Sequence, residues 1–145
     1  MFLMVIFLFT FLSQIDSACL PDFEAIPGES KCLFSSYGEH SGRPKAACSY
    51  KGTIPAKIEN AFENSFVFSK LTDPDFSENI AYIGVEKQNG VWVYSDGSAL
   101  TYTNWANGEP NSFEECAIMD RLSGKWKAEN CGGAYPFFCT HGESK

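Results

Sequence analysis

The sequence has few residues of the kinds that metal centres and nucleophilic active sites use. It contains two histidines, His40 and His141, which we expect at the surface, and no two of its six cysteines form a Cys-x-x-Cys pair. Structural zinc sites draw on closely spaced ligands of this kind, so zinc is not expected. The adjacent Glu114 and Glu115 would point to opposite faces of a strand, which does not suit a paired acid and base. We therefore predict a protein that is not an enzyme.

Positive charge is also scarce. The chain has 11 Lys and Arg residues against 18 Asp and Glu residues, for a formal net charge of −7. Nucleic acids and anionic membranes are bound through basic patches, so neither is an expected partner. No Asn-x-Ser/Thr sequon occurs, and N-glycosylation is not expected.

Long apolar runs are absent except at the start, where Met1–Leu12 is apolar apart from Thr10. A membrane-spanning helix needs roughly 20 apolar residues. The run has instead the length of a signal-peptide core, and small residues follow it. We predict a signal peptide over residues 1–17, with cleavage after Ser17 or Ala18, and one secreted, extracellular domain over residues 19–145. An uncleaved anchor or a buried N-terminal helix is the less favoured alternative.

Cysteine is the residue type that the chain does use heavily for its size. The six are Cys19, Cys32, Cys48, Cys116, Cys131 and Cys139. An even number in a small secreted chain predicts a disulfide framework. Counting and spacing alone leave the connectivity open.

Two helices are predicted. The clearer one covers Ala61–Lys70, because Asn60 is a favourable N-cap and Glu63 stands where a capping box has its acid. Phe62 and Phe66 are four residues apart on one face, and we expect both to be buried. A shorter helix is expected near Arg43–Tyr50, where a proline suits the first turn.

The rest of the chain predicts short strands and turns, so the fold class is α+β. Pro55 marks its strand as an edge or a strand start, and Asn89-Gly90 is a hairpin signal. Trp92, Tyr94, Trp105 and Trp126 are expected in the core. The strands are expected at residues 31–34, 54–58, 81–85, 91–94, 116–119, 125–127 and 136–140.

Several motifs, in order and at suitable spacing, resemble the C-type lectin-like domain, and most closely the secreted single-domain lectins of nematodes. The resemblance covers nearly all of the mature chain. It rests on Tyr82-Ile83-Gly84, on Trp92–Ser98 followed by Tyr102–Trp105, on Glu109-Pro110-Asn111, and on Cys116, Trp126, Cys131 and Cys139 at the end. It implies a C-type lectin-like fold with two helices, short antiparallel strands, a long loop region and three disulfides: Cys19–Cys32, Cys48–Cys139 and Cys116–Cys131.

The resemblance also implies a ligand site. In sugar-binding members, the tripeptide that matches Glu109-Pro110-Asn111 contains a cis-proline and holds calcium together with an acid that matches Glu114. An Asn-Asp pair after the tryptophan completes the set. This sequence departs from the pattern there, because Lys127 and Ala128 occupy the two positions. Lysine has no acceptor atom. Calcium binding is therefore expected to be weak or absent at Glu109, Asn111 and Glu114.

Two interpretations of the loop remain open. Glu109-Pro110-Asn111 could select a mannose-type sugar, or it could be a retained loop that binds nothing through metal. Phe113 could be exposed and stack on a sugar ring or contact a partner, or it could lie under the shortened loop. Lys127 could point at the loop carboxylates or swing outward. The expected function is carbohydrate binding, with microbial glycans in innate defence as one role, or else calcium-independent binding of a protein or surface.

Overall fold

The computed structural model describes residues 19–37 and 44–141. The predicted signal peptide, Arg43 and His40 lie outside the described residues. In chain order the elements are β1 (Phe23–Ala25), β2 (Cys32–Ser35), α1 (Pro44–Tyr50), β3 (Ile54–Pro55), α2 (Ala61–Leu71), β4 (Ile80–Gln88), β5 (Val91–Tyr94), β6 (Cys116–Asp120), β7 (Trp126–Glu129) and β8 (Phe138–His141).

The strands form two antiparallel sheets of four strands each, in the orders β1-β2-β8-β3 and β5-β4-β6-β7. The α+β class is confirmed. Pro55 lies on the edge strand β3, where its missing N–H removes no ladder hydrogen bond from the sheet interior. Asn89 and Gly90 both have positive φ, 49° and 78°, as a type I′ hairpin turn requires. Among the described residues, no helix is long and apolar enough to cross a membrane.

The three implied disulfides are all present. Cys19–Cys32 closes the N-terminal hairpin, and Cys48–Cys139 joins α1 to β8. Cys116–Cys131 joins the start of β6 to the loop that follows β7. Each of them typically contributes about 2–4 kcal/mol, mainly by restricting the unfolded chain.

The buried face of α2 differs from the prediction. Asn60 caps the helix as expected, and its Oδ1 accepts the N–H of Glu63 at 2.8 Å. Phe62, however, is 52% exposed, so its predicted burial is wrong, and Phe66 is only partly buried. The helix instead buries Glu63, Asn64, Val67 and Leu71.

A polar cluster explains why α2 turns Glu63 inward. The ammonium of Lys31, a residue 4% exposed, donates to Glu59 Oε2 and Glu63 Oε1, both at 2.8 Å, and to the carbonyl of Lys57 at 2.9 Å. The second oxygen of Glu63 accepts the N–H of Glu59 at 2.7 Å. A buried charge is tolerated only when it is paired and hydrogen-bonded in this way. The cluster therefore selects the rotation of α2 about its axis.

The core lies between the two sheets and α2. Tyr94 and Trp126 are fully buried, as predicted, whereas Trp92 and Trp105 are only partly buried and pack against the core from its edge. The ring of Trp105 stands edge-on to those of Trp92 and Trp126, with centroid distances of 5.0 and 5.7 Å. Trp105 belongs to the long loop between β5 and β6, so its ring packs that loop against Trp92 of β5 and Trp126 of β7.

Candidate functional site

The long loop is anchored along β7 by backbone hydrogen bonds. The N–H of Trp126 donates to the carbonyl of Asn104, and the N–H of Ala106 donates to the carbonyl of Trp126, both at 2.9 Å. Lys125 adds a 2.8 Å bond from its ammonium to Asn104 Oδ1. The following segment, residues 109–115, is called the Glu109 loop below.

The Glu109 carboxylate is held by main-chain donors. Its Oε2 accepts the N–H of Asn111 at 2.9 Å and the N–H of Ala128, on β7, at 3.0 Å. The Glu109–Pro110 peptide bond is cis, as the resemblance implied. A carboxylate that accepts two backbone N–H groups forms charge-assisted hydrogen bonds, so Glu109 fastens the loop to β7.

The Asn111 side chain is used in a similar way. Its Oδ1 accepts the N–H of Phe113 and the N–H of Glu114, each at 3.1 Å. Asparagine often forms turns of this kind with the backbone two or three residues ahead. The turn therefore holds the backbone at Phe113 and Glu114 in place.

Lys127 does not point at the loop carboxylates. Its ammonium forms a 2.8 Å ion pair with Asp120 Oδ2 on β6, and it has no ion pair with Glu109 or Glu114. Burial alone would raise the pKa of Asp120, but the hydrogen bonds and charge of Lys127, with the N–H of Leu122, hold it below its ordinary value. Of the two orientations left open by the sequence, the structure shows the outward one.

The donor set of the Glu109 loop does not fit calcium. Calcium takes six to eight oxygen ligands, largely carboxylates and carbonyls. Here Asn111 Oδ1 and one oxygen of Glu109 already accept main-chain N–H groups, and Ala128 supplies no side-chain oxygen. Across residues 19–37 and 44–141, no three acidic, histidine or cysteine side chains are grouped as a metal site.

Phe113 is the exposed aromatic side chain of the Glu109 loop. It is 88% exposed, which matches the first of the two alternatives derived from the sequence. Glu114 is half-buried beside it, and its carboxylate accepts no hydrogen bond from the described residues. The loop thus presents the Phe113 ring and the carboxylates of Glu114 and of the exposed Glu115 to a ligand.

Sequence reasoning missed two residues that support the loop. Lys87, on β4, donates from its ammonium to the carbonyl of Ser112 at 3.2 Å and lies over the Trp92 ring, 5.5 Å from its centroid. Asp120, on β6, forms an ion pair with the Lys127 ammonium and so keeps it away from the loop carboxylates. Neither contact has a local signal, because the partners are 25 and 7 residues apart along the chain.

Comparison with known proteins agrees with this architecture. The sequence model of a family described as "Lectin C-type domain" matches residues 42–141, and the chain belongs to that family. The C-type lectin lectoxin-Lio1 of the snake Erythrolamprus poecilogyrus is 32% identical over 136 residues, which covers 86% of this chain and 80% of the lectoxin. Lectoxin-Lio3 of the same snake is 42% identical over 62 residues, or 39% of this chain, and the match spans only 38% of that relative.

A solved structure of a calcium-independent type II antifreeze protein has the same fold. Its TM-score is 0.71 at 20% identity, over 86% of this chain and 95% of that one. At this identity the likeness concerns the fold alone.

Proposed function

We propose that this protein is a secreted, non-enzymatic lectin that binds glycans through the Glu109 loop without calcium. The observation that carries the proposal is the Glu109 carboxylate, which accepts the N–H groups of Asn111 and Ala128. In this arrangement the chain itself holds the loop in place. A calcium-dependent site would need those oxygens for the metal.

The exposed part of the loop offers the groups that a sugar needs. The Phe113 ring, 88% exposed, can pack against the C–H face of a pyranose. The Glu114 carboxylate can accept hydrogen bonds from sugar hydroxyls, because an ionised carboxylate is an acceptor only. The Asn111 turn fixes the backbone between the two, so little ordering is required on binding.

Secretion and a role in innate defence are further parts of the proposal. Three disulfides favour an oxidising compartment, and the apolar run at the start of the sequence supports export. Glycans of microbial surfaces are the ligand class that we propose to examine first.

A glycan array that includes microbial polysaccharides tests the proposal, with the intact secreted protein applied in calcium and in a chelator. We expect the same glycans to be bound in both conditions. Phe113→Ala should weaken binding, whereas Leu122→Ala, which removes a side chain that is 89% exposed on another turn, should not. Binding that disappears in the chelator would contradict the proposal, and so would equal effects of the two variants.

A protein- or surface-binding module is the second candidate. A single aromatic side chain that is 88% exposed is also what a protein interface uses as an anchor. If the intact protein binds no glycan on the array under either condition, this candidate replaces the first.

A further inference from the structure

A concave site separate from the Glu109 loop lies between α1, β3 and the turn after β5. It is a cavity of about 340 Å³, within the range of small-molecule sites. Six of its lining residues matter here: Ser49, Ile54, Pro55, Gln88, Ser95 and Asp96. We call it the Ser95 cavity. None of its lining residues belongs to the Glu109 loop.

The cavity contains polar groups that lack partners. Ser95 is 5% exposed, and its hydroxyl forms no hydrogen bond with the described residues. Yet no fully buried side-chain oxygen or nitrogen of those residues lacks a partner, so the Ser95 hydroxyl keeps some solvent-accessible surface, and Ser95 is a lining residue of the cavity. Ser49, on the exposed face of α1, also has a free hydroxyl. Such hydroxyls can both donate and accept.

Gln88 supplies a fixed acceptor. Its Nε2 donates to Glu86 Oε1 at 2.7 Å and to the carbonyl of Ser95 at 3.5 Å, which orients the amide group. The opposite atom, Oε1, is the nearest neighbour to the position that a Cβ on Gly97 would take, at 3.6 Å. Gly97 also lines the cavity, so this oxygen lies at the cavity wall.

The charges at the cavity are already paired. Asp96 Oδ2 is bound by the ammonium of Lys57 at 3.1 Å, and its Oδ1 accepts from the N–H and hydroxyl of Ser98. Lys45, another lining residue, lies 3.5 Å from Glu86. A charged ligand would compete with these existing pairs. A neutral ligand fits the charge balance better.

Ile54, which is 36% exposed, and the buried Pro55 form the apolar part of the wall. A pyranose ring has the matching surface, because its hydroxyls lie around the ring and its C–H groups form an apolar face. We propose that the Ser95 cavity binds a neutral pyranose unit of a glycan, without a metal ion.

The cavity and the Glu109 loop lie on opposite sides of the same hairpin. Lys87 reaches the carbonyl of Ser112 in the loop, while the next residue, Gln88, lines the cavity. Successive side chains of a strand point to opposite faces. The proposal therefore does not depend on sugar binding at the loop.

Amide chemical shifts of the intact, chelator-treated protein test the proposal. The probes are methyl α-mannopyranoside, methyl β-galactopyranoside and N-acetylglucosamine, with sodium glucuronate as the charged comparison. At least one neutral probe should shift the signals of Gln88, Ser95 and Gly97. Shifts at Phe113 and Glu114, recorded in the same titration, report separately on the loop, so that failure of one site is distinguishable from failure of the other.

Two variants assign the binding to the cavity. Ser95→Ala removes the unpaired hydroxyl, and Ser49→Phe fills the space from an exposed position of α1. Each should weaken binding about tenfold or more. The controls are Ser77→Ala and Ser65→Phe, exposed positions outside the cavity, which should leave binding unchanged. No shift at the cavity with any neutral probe would overturn the proposal. Binding that survives Ser49→Phe, or tighter binding of glucuronate, would do the same.

Discussion

The backbone N–H of Ala128 donates a 3.0 Å hydrogen bond to Glu109 Oε2. Ala128 stands where the resemblance to sugar-binding lectins implies an aspartate that holds calcium. The same position on β7 therefore contributes a main-chain donor to the loop and no side-chain oxygen.

Calcium should bind at the Glu109 loop no more tightly than about the millimolar range of weak extracellular modules. The double variant Lys127→Asn, Ala128→Asp should raise the affinity, because it restores an amide and a charged ligand. Calorimetric titration of metal-free protein measures both. Lys127→Asn alone is the control, since it restores the amide without the carboxylate ligand at position 128. A tight site in the unchanged protein would show that the missing side chains do not matter.

Lys31→Met should lower the free energy of unfolding by about 3–5 kcal/mol, because it leaves the buried Glu63 without its cation. Denaturant unfolding measures the loss. Lys70→Met is the matched control: its ion pair with Glu24 is partly exposed, and pairs of this kind contribute about 0–1 kcal/mol. Equal losses in the two variants would refute the role given to the buried cluster.

The free energy of unfolding should fall at high pH because Lys31 loses its proton. Burial alone would lower the pKa of Lys31, but Glu59 and Glu63 raise it above its ordinary value. A lysine whose pKa is raised on folding stabilises the folded state fully at pH values below its unfolded pKa of 10.5. This stabilisation is lost as the pH rises through the pKa that the lysine has in the folded protein. Unfolding curves at increasing alkaline pH should show this loss, and Lys31→Met should lack it.

Asp120→Asn should reduce the loss of stability in acid. The pKa of Asp120 is lowered in the folded protein, so its contribution is present above the ordinary value of 3.8 and disappears as the pH falls through the folded value. The change of the thermal unfolding temperature with pH, recorded below about pH 4, measures this loss. Asp75→Asn, on the exposed turn after α2, serves as the comparison. An unchanged acid slope in Asp120→Asn would count against the Lys127 ion pair.

Gly84→Ala should destabilise the fold strongly. A Cβ at Gly84 would lie 2.2 Å from the carbonyl oxygen of Pro55 and 2.5 Å from that of Ala56, and both are backbone atoms. The strands would have to separate, at a cost of about 1–3 kcal/mol or more. Gly132→Ala is the control, because its Cβ would meet only the side chain of Asn130, at 3.1 Å. Thermal unfolding is the measurement, and equal unfolding temperatures for the two variants would contradict this explanation.

The predictions that succeeded depend on residues close together in the chain or on ordered motifs. The Asn60 cap and the Asn89-Gly90 turn are local signals, and the structure confirms them. The disulfide pairing, which joins residues as far as 91 positions apart, was implied by the ordered motifs of the family resemblance, and the structure contains it. The failure on α2 has a specific cause. Phe62 and Phe66 predicted an apolar face, but the helix turns Glu63 toward Lys31, 32 residues away.

The amino-acid sequence by itself determined the helix and strand types, the disulfide-bonded lectin-like fold and the missing ligand types at positions 127 and 128. Only the tertiary structure decided how the retained ligand residues are used. Glu109 meets the N–H of Ala128, 19 residues away, and Lys127 meets Asp120 across the β6–β7 pair. Such partners are chosen by sheet register and by the requirement that buried polar groups find hydrogen bonds, and neither acts along the chain alone.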